Sequence, residues 1–186
     1  QVQGDQYAAL YSETVTVQLE NDFLPFLYPN QYVNFTPDSK ASQLALSLID
    51  EDTVDVDALQ QIYDYVVSNL TYDYEKADTV TTGYLPDVDE TLKTGTGICF
   101  DYAALTTAML RSCDIPCKLQ IGYAGDIKHA WIDVYIRSKG WVNQAVSFKG
   151  DTWTLMDPTF DSNSDDKEAI QDYIGDESNY TVQFTR

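Results

Sequence analysis

Three side chains in this sequence could together carry out nucleophilic acyl chemistry: Cys99, His129 and Asp157. A thiol in the opening turn of a helix faces unpaired amide N–H groups, whose partial positive charge favours the thiolate. Cys99 opens an Ala-, Leu- and Met-rich run of this kind. Gly97, just before it, removes a side chain that would otherwise bar a substrate backbone, and the Cys99 amide could point at a developing oxyanion. Taken alone, a helical cysteine is also an ordinary inert core residue. His129 is the only histidine in the chain. A thiolate mechanism needs a group near neutral pKa to hold a proton between attack and leaving-group departure, and His129 is the residue able to do so. A lone histidine at the start of a strand has a purely structural reading as well.

The third member should orient the imidazole. Asp133 shares a strand face with His129 by period-two counting but lies about 13 Å along it at roughly 3.3 Å per residue, too far to touch. Asp157 ends a different strand, because Pro158 holds it extended and cannot continue the ladder as a donor. A neighbouring strand beginning at His129 could meet it there. By itself Asp157-Pro158 also reads as a turn-forming pair.

The elements that must position these groups follow from periodicity. Val15, Val17 and Leu19 alternate as a strand near the start, followed by a loop marked by Pro25, Pro29 and Asn30. A helix capped by Asp38 or Ser39 runs through Leu44, Leu48 and Ile49, and a second is capped by Asp55 or Asp57. In the second, Leu59, Ile62, Tyr63, Val66 and Leu70 fall at i, i+3, i+4, i+7 and i+11, one buried stripe. Residues 72–89 lack a sustained period and read as a long irregular connection of the type that shapes a site. A third helix spans Cys99 to Arg111 and is ended by Pro116. Beyond it Leu119, Ile121 and Tyr123 alternate, then Ala130, Ile132, Val134 and Ile136, then Trp153, Leu155 and Asp157, with Gly140 and Gly150 at turns. Helices followed by hairpin-linked strands predict an α+β fold, an antiparallel sheet with helices packed on one face. No internal repeat or linker interrupts residues 1–186, which read as a single domain.

Together the words Thr94-Gly95-Thr96-Gly97-Ile98-Cys99-Phe100-Asp101-Tyr102-Ala103-Ala104-Leu105, Leu110-Arg111, Ile115-Pro116, Gly122-Tyr123, His129-Ala130-Trp131 and Met156-Asp157-Pro158-Thr159, with Trp153, resemble the core of the transglutaminase-like superfamily. The resemblance is strongest over about residues 60–160. It implies a papain-like fold with the nucleophile helix packed on an antiparallel β-sheet. It also implies Cys99 as nucleophile, His129 as general acid/base and Asp157 as the orienting residue. Two positions depart from the family pattern. Asp114 stands where Gly usually precedes Ile-Pro, a place where Asp tolerates the left-handed backbone, and Cys117 stands where a small residue is common. No Trp precedes Cys99, so Tyr84 in the connecting loop is the remaining suggestion for a second oxyanion donor.

Composition narrows the rest. The 186 residues carry eleven Lys and Arg against thirty Asp and Glu, a net charge of −19. A phosphate backbone or anionic membrane face would be repelled, so nucleic acid is not an expected partner. No apolar run approaches the roughly 18 residues that span a bilayer. High acidity and fourteen Tyr fit an extracellular or cell-surface attached protein. Three cysteines cannot all pair within one chain; Cys113 and Cys117 are either a bridge that leaves Cys99 free or two buried thiols. Asp161, Asn163 and Asp165 have the spacing that opens a calcium loop, but Asp166 and Asp172 break the match, so a solvated acidic loop is expected, with no metal and no cofactor.

The resemblance thus implies a cysteine peptidase or amidase, or a transglutaminase, with peptide or protein substrates. The acidic surface favours cationic ones, such as lysine-rich peptides or cell-wall peptides bearing free amines. The rival reading is a non-catalytic peptide-binding or surface module on the same fold.

Overall fold

The computed structural model describes residues 11, 13–143, 146–149, 152–155 and 180–186. Asp157, the acidic stretch from Asp161 to Asp172 and Gly150 lie outside these residues. The helices come first along the chain: a short 3-10 turn at Leu24–Phe26, α1 (Lys40–Leu48), α2 (Asp55–Asn69), α3 (Tyr74–Thr79), α4 (Val88–Thr94) and α5 (Cys99–Ser112). Two short strands, β1 (Thr71–Tyr72) and β2 (Thr96–Gly97), pair in parallel beside α5. Then follow β3 (Cys117–Ala124), β4 (Ile127–Ile136), β5 (Gly140–Val142), β6 (Val146–Lys149), β7 (Thr152–Leu155) and β8 (Tyr180–Thr185).

The main sheet has the order β5-β4-β3-β8, antiparallel throughout, and β6 and β7 form a separate hairpin. Helix α5 packs against β3 and β4 on one side and α1, α2 and α4 on the other. This is the α+β arrangement expected, a nucleophile helix laid on an antiparallel sheet. Ala130, Ile132, Val134 and Ile136 of β4 meet the helices in one core, while the alternate residues His129, Trp131 and Asp133 occupy the other face of the strand.

Residues 101–111 of α5 are buried all round, so its polar side chains must find partners inside. Thr106 Oγ1 donates to the Tyr102 carbonyl at 2.8 Å, and Thr107 Oγ1 accepts from Cys117 Sγ at 3.5 Å. Arg111 is 2% exposed and is held by main-chain carbonyls: Nε and Nη2 donate to Cys117 O at 3.0 and 2.7 Å, Nη1 to Tyr28 O at 2.8 Å, and Nη2 also to Arg186 O at 3.0 Å. Burial pushes its pKa below the ordinary arginine value. Asp114, just past the helix, takes φ 57° while its amide reaches Arg111 O at 3.1 Å and Ile115 N reaches Leu110 O at 3.1 Å. The departure from Gly is therefore accommodated by a left-handed helix stop. All three cysteines are free thiols.

Four sequence expectations need correction. Residues 15–19 are not a strand; Val15, Val17 and Leu19 are 68%, 68% and 49% exposed, with no partner strand beside them among the described residues to reward alternation. Helix α2 starts from Val54, not from an aspartate cap, because the Asp55 carboxylate is taken by Arg137, with Nη2 at 2.6 Å. Ser39 does precede α1, but its hydroxyl accepts Thr36 N at 3.0 Å, and the α1 amide of Ala41 is satisfied by Asp89 Oδ1 of α4 at 2.9 Å. The stretch 72–89 is only partly irregular. Asp73 caps α3 by accepting Lys76 N at 2.9 Å, and Asp87 caps α4 by accepting Asp89 N and Glu90 N at 3.1 and 3.0 Å. Those two aspartates, each followed by a short run without Pro or Gly, were the available signal. The stripe from Leu59 to Leu70 is buried as expected.

Candidate active site

Cys99 is the first residue of α5, so its own amide and that of Phe100 have no acceptor within the helix and stand at the positive end of its dipole. The turn ahead of it is fixed by Asp101, a side chain with 0% exposure. Oδ2 of Asp101 accepts the Ile98 amide at 2.8 Å and the Lys76 ammonium at 2.7 Å, and the carboxylate also accepts the Tyr84 hydroxyl in a short hydrogen bond. The Asp101 amide donates to the Ile98 main-chain carbonyl at 2.9 Å. Asp101 thus supplies the carboxylate half of a capping box, and Ile98, with no side-chain oxygen, does not return the other half. Lys76 Nζ also donates to Tyr84 Oη at 2.8 Å and sits 4.6 Å from the Tyr84 ring centre. Burial works against the Lys76 ammonium, but Asp101 and the Tyr84 oxygen outweigh it and raise its pKa above the ordinary lysine value. Burial, reinforced by Asp101, raises the Tyr84 phenol.

Two site expectations change on these contacts. The Tyr84 proton is committed to Asp101, so the phenol is not the second oxyanion donor. Gly97 is buried, and a Cβ there would stand 2.6 Å from Asp101 Cβ. Its lack of a side chain serves the approach of Asp101 to the helix start and not the approach of substrate.

His129 is 5% exposed and faces Gly122 across β3 and β4. Its ring stacks on Trp131, centroids 6.2 Å apart at 17°, and Trp131 in turn meets Tyr180 of β8 edge-on at 5.1 Å. Gly122 permits this layering, since a Cβ there would lie 1.9 Å from the Thr181 carbonyl oxygen and 3.0 Å from Trp131 Cη2. The register between β3 and β8 shifts at this point, between Ile121 and Gly122. Asp133, set aside on distance, is engaged elsewhere: its carboxylate accepts Gln120 Nε2, whose Oε1 accepts Thr185 Oγ1 at 2.7 Å.

Cys99 and His129 line the same cavity of about 650 Å³, together with Phe100, Ile121 and residues 80–85. The loop expected to shape a site does so. The other two thiols are remote in character: burial pushes Cys113 up to about 11 and Cys117 up to about 12. Among the described residues no group of three or more His, Cys, Asp or Glu is placed to hold a metal ion.

Residues 42–158 match the transglutaminase-like superfamily, more than half of the chain. The chain belongs to that superfamily. Solved structures agree on the fold. A protein of Cytophaga hutchinsonii described as a candidate cysteine protease superposes with a TM-score of 0.58 at 22% identity, over 90% of this chain and 48% of that one. The periplasmic domain of TgpA from Pseudomonas aeruginosa gives a TM-score of 0.50 at 19% identity, over 70% of this chain and 46% of that one. A UPF0252 protein of Methanocaldococcus jannaschii is 36% identical over 62 residues, 31% of this chain and 18% of that protein. The match thus spans about half the length of either solved relative and less than a fifth of the archaeal one. Among the described residues no helix is long and apolar enough to cross a membrane.

Proposed function

We propose that this member of the family is a cysteine enzyme of acyl transfer that cleaves peptide or carboxamide bonds, with Cys99 as nucleophile, His129 as general acid/base and Asp157 as the residue that orients the imidazole. One observation carries the reading: the helix-initiating thiol and the chain's single histidine border one cavity. The Cys99 thiolate attacks the carbonyl carbon, and the oxyanion forms beside the unpaired first amides of α5. Protonated His129 gives its proton to the departing amine as the C–N bond breaks, leaving a thioester on Sγ and a neutral imidazole. Water then loses a proton to His129 and attacks the thioester carbonyl. Collapse releases the acid, and Sγ leaves as thiolate beside the imidazolium. A primary amine in place of water would give transfer in the same way. Of the two acceptors, water is the one favoured here, which makes the reaction a hydrolysis. Peptides or proteins outside the cytoplasm, cell-wall peptides among them, are the proposed substrates, in keeping with the acidic composition.

The experiment is intact-protein and peptide-map mass spectrometry after brief incubation with a mixed peptide library. An acyl adduct on Cys99 that hydroxylamine removes is expected, absent in Cys99→Ala and strongly diminished in His129→Gln, where loss of the proton donor to the departing amine slows acylation by about 10²–10⁴-fold. A library turned over equally by Cys99→Ala, or a Cys99 that never carries an adduct, would overturn it and leave the fold as a binding module.

A further inference from the structure

Among the described residues, the lining of the cavity around Cys99 and His129 differs in charge from the chain as a whole. Carboxylates outnumber Lys and Arg thirty to eleven in the sequence, yet no carboxylate lines the cavity among the described residues, while Lys128 and Arg186 both do. The acid bonded to its wall, Asp101, is fully buried and already paired with Lys76. Neither Lys128 nor Arg186 has a carboxylate partner among the described residues.

Arg186 is built into place. Its main chain pairs with Leu119 in both directions, at 2.8 and 2.9 Å, and its carbonyl accepts Arg111 Nη2 at 3.0 Å. Its guanidinium carbon lies 4.9 Å from the Tyr32 ring centre and 5.1 Å from that of Phe184, so two aromatic faces hold the cation. Nη1 reaches only the adjacent Thr185 carbonyl at 3.2 Å, and the buried Nε has no acceptor among the described residues. A clamped guanidinium with unused donors in a cavity is a ready partner for a planar carboxylate. Lys128, the residue before His129, adds a second positive charge to the same lining.

We propose that this cavity binds an acidic peptide segment, with Arg186 receiving a carboxylate of the substrate and Lys128 supplying supporting charge. The inference rests on the acyl-transfer reading for the bond that is cut, but not for the binding itself. Net charge steers cationic ligands toward the molecule at long range, over a Debye length of about 8 Å at physiological salt; the cavity selects at contact.

The test is fluorescence anisotropy with the Cys99→Ala chain and five-residue alanine-based peptides carrying a neutral fluorophore. Three have an amidated C-terminus and Glu, Gln or Lys at the centre; a fourth has Gln at the centre and a free C-terminal carboxylate. The Glu peptide or the free-terminus peptide should bind about tenfold more tightly than the amidated Gln peptide, and which of the two does so identifies the source of the carboxylate. Arg186→Gln should abolish that preference and Arg186→Lys should retain part of it, each with an unchanged circular dichroism spectrum. A Lys peptide bound as tightly as the better of the two carboxylate peptides, or a preference that survives Arg186→Gln, would overturn the proposal. Selective acidic-peptide binding by a chain whose wild-type Cys99 is never acylated would uphold this inference and remove the catalytic one. Acylation of Cys99 without charge preference would do the reverse.

Discussion

Asp101 accepts the amide of Ile98 at 2.8 Å, so the residue directly before Cys99 is held by a carboxylate from three positions further along the chain. The same oxygen is 2.7 Å from Lys76 Nζ, which ties α3 and the wall of the cavity to the start of α5. Removing one partner of a fully buried pair typically costs about 3–5 kcal/mol, and because the Lys76 side chain keeps 30% exposure the cost here falls at the low end. Asp101→Ala is therefore expected to destabilise the fold by about 3 kcal/mol in urea unfolding. Asp101→Asn, which keeps an acceptor for the Ile98 amide, should retain more stability while loosening the Lys76 and Tyr84 contacts. Altered alkylation kinetics of Cys99 in Asp101→Asn would report the change at the helix start.

The three thiols should separate cleanly by reactivity. Cys99 lines the cavity, whereas burial holds the Cys113 thiol at about 11 and the fully buried Cys117 thiol at about 12. A short pulse of iodoacetamide at neutral pH, read by peptide mapping, is expected to label Cys99 alone; Cys117 should label only after unfolding. Equal labelling of all three would contradict the described packing.

Alkaline pH should weaken the fold. Cys113, Cys117, Tyr84 and Lys76 all hold their protons more tightly folded than unfolded. Their contribution is fully present below the unfolded values, which begin at about 8.5 for cysteine. Above that pH the native state binds more protons than the unfolded state, so stability falls as pH rises. The urea midpoint at pH 10 should lie below that at pH 7.5, and Cys117→Ala should show a shallower decline from a lower starting stability.

Gly122→Ala should detach β8 from β3. The added methyl would meet the Thr181 carbonyl at 1.9 Å, a main-chain atom that cannot step aside without moving the strand. Overpacking of this kind costs about 1–3 kcal/mol or more. Because Gly122 faces His129 in register, hydrogen exchange in residues 127–131 should rise together with that in β8.

Arg111→Met tests the inward cation. Removing the guanidinium leaves the carbonyls of Tyr28, Cys117 and Arg186 without this donor, with an expected loss of about 1–3 kcal/mol for each acceptor left buried and unpaired. A Met variant as stable as the parent would mean that water takes over these carbonyls.

What the sequence determined by itself was local. The stripe from Leu59 to Leu70, the Ala-rich run behind Cys99, the alternation in β3 and β4 and the left-handed stop at Asp114 are set by period and backbone preference, so they could be read before any packing was known. The words around Cys99 and His129 likewise led to the family. Tertiary structure decided the rest, because it depended on groups distant in sequence competing for the same atoms. Asp55 looked like a helix cap until Arg137, far along the chain, took its carboxylate. Val15 to Leu19 alternate like a strand but pair with no strand among the described residues. Asp101 read as one more residue of a helix, and only folding brought Lys76 and Tyr84 onto it, occupying the phenol expected to serve the oxyanion. The charge of the cavity belongs to the same class: a total of −19 says nothing about which few side chains, Lys128 and Arg186 among them, the fold gathers around one cysteine.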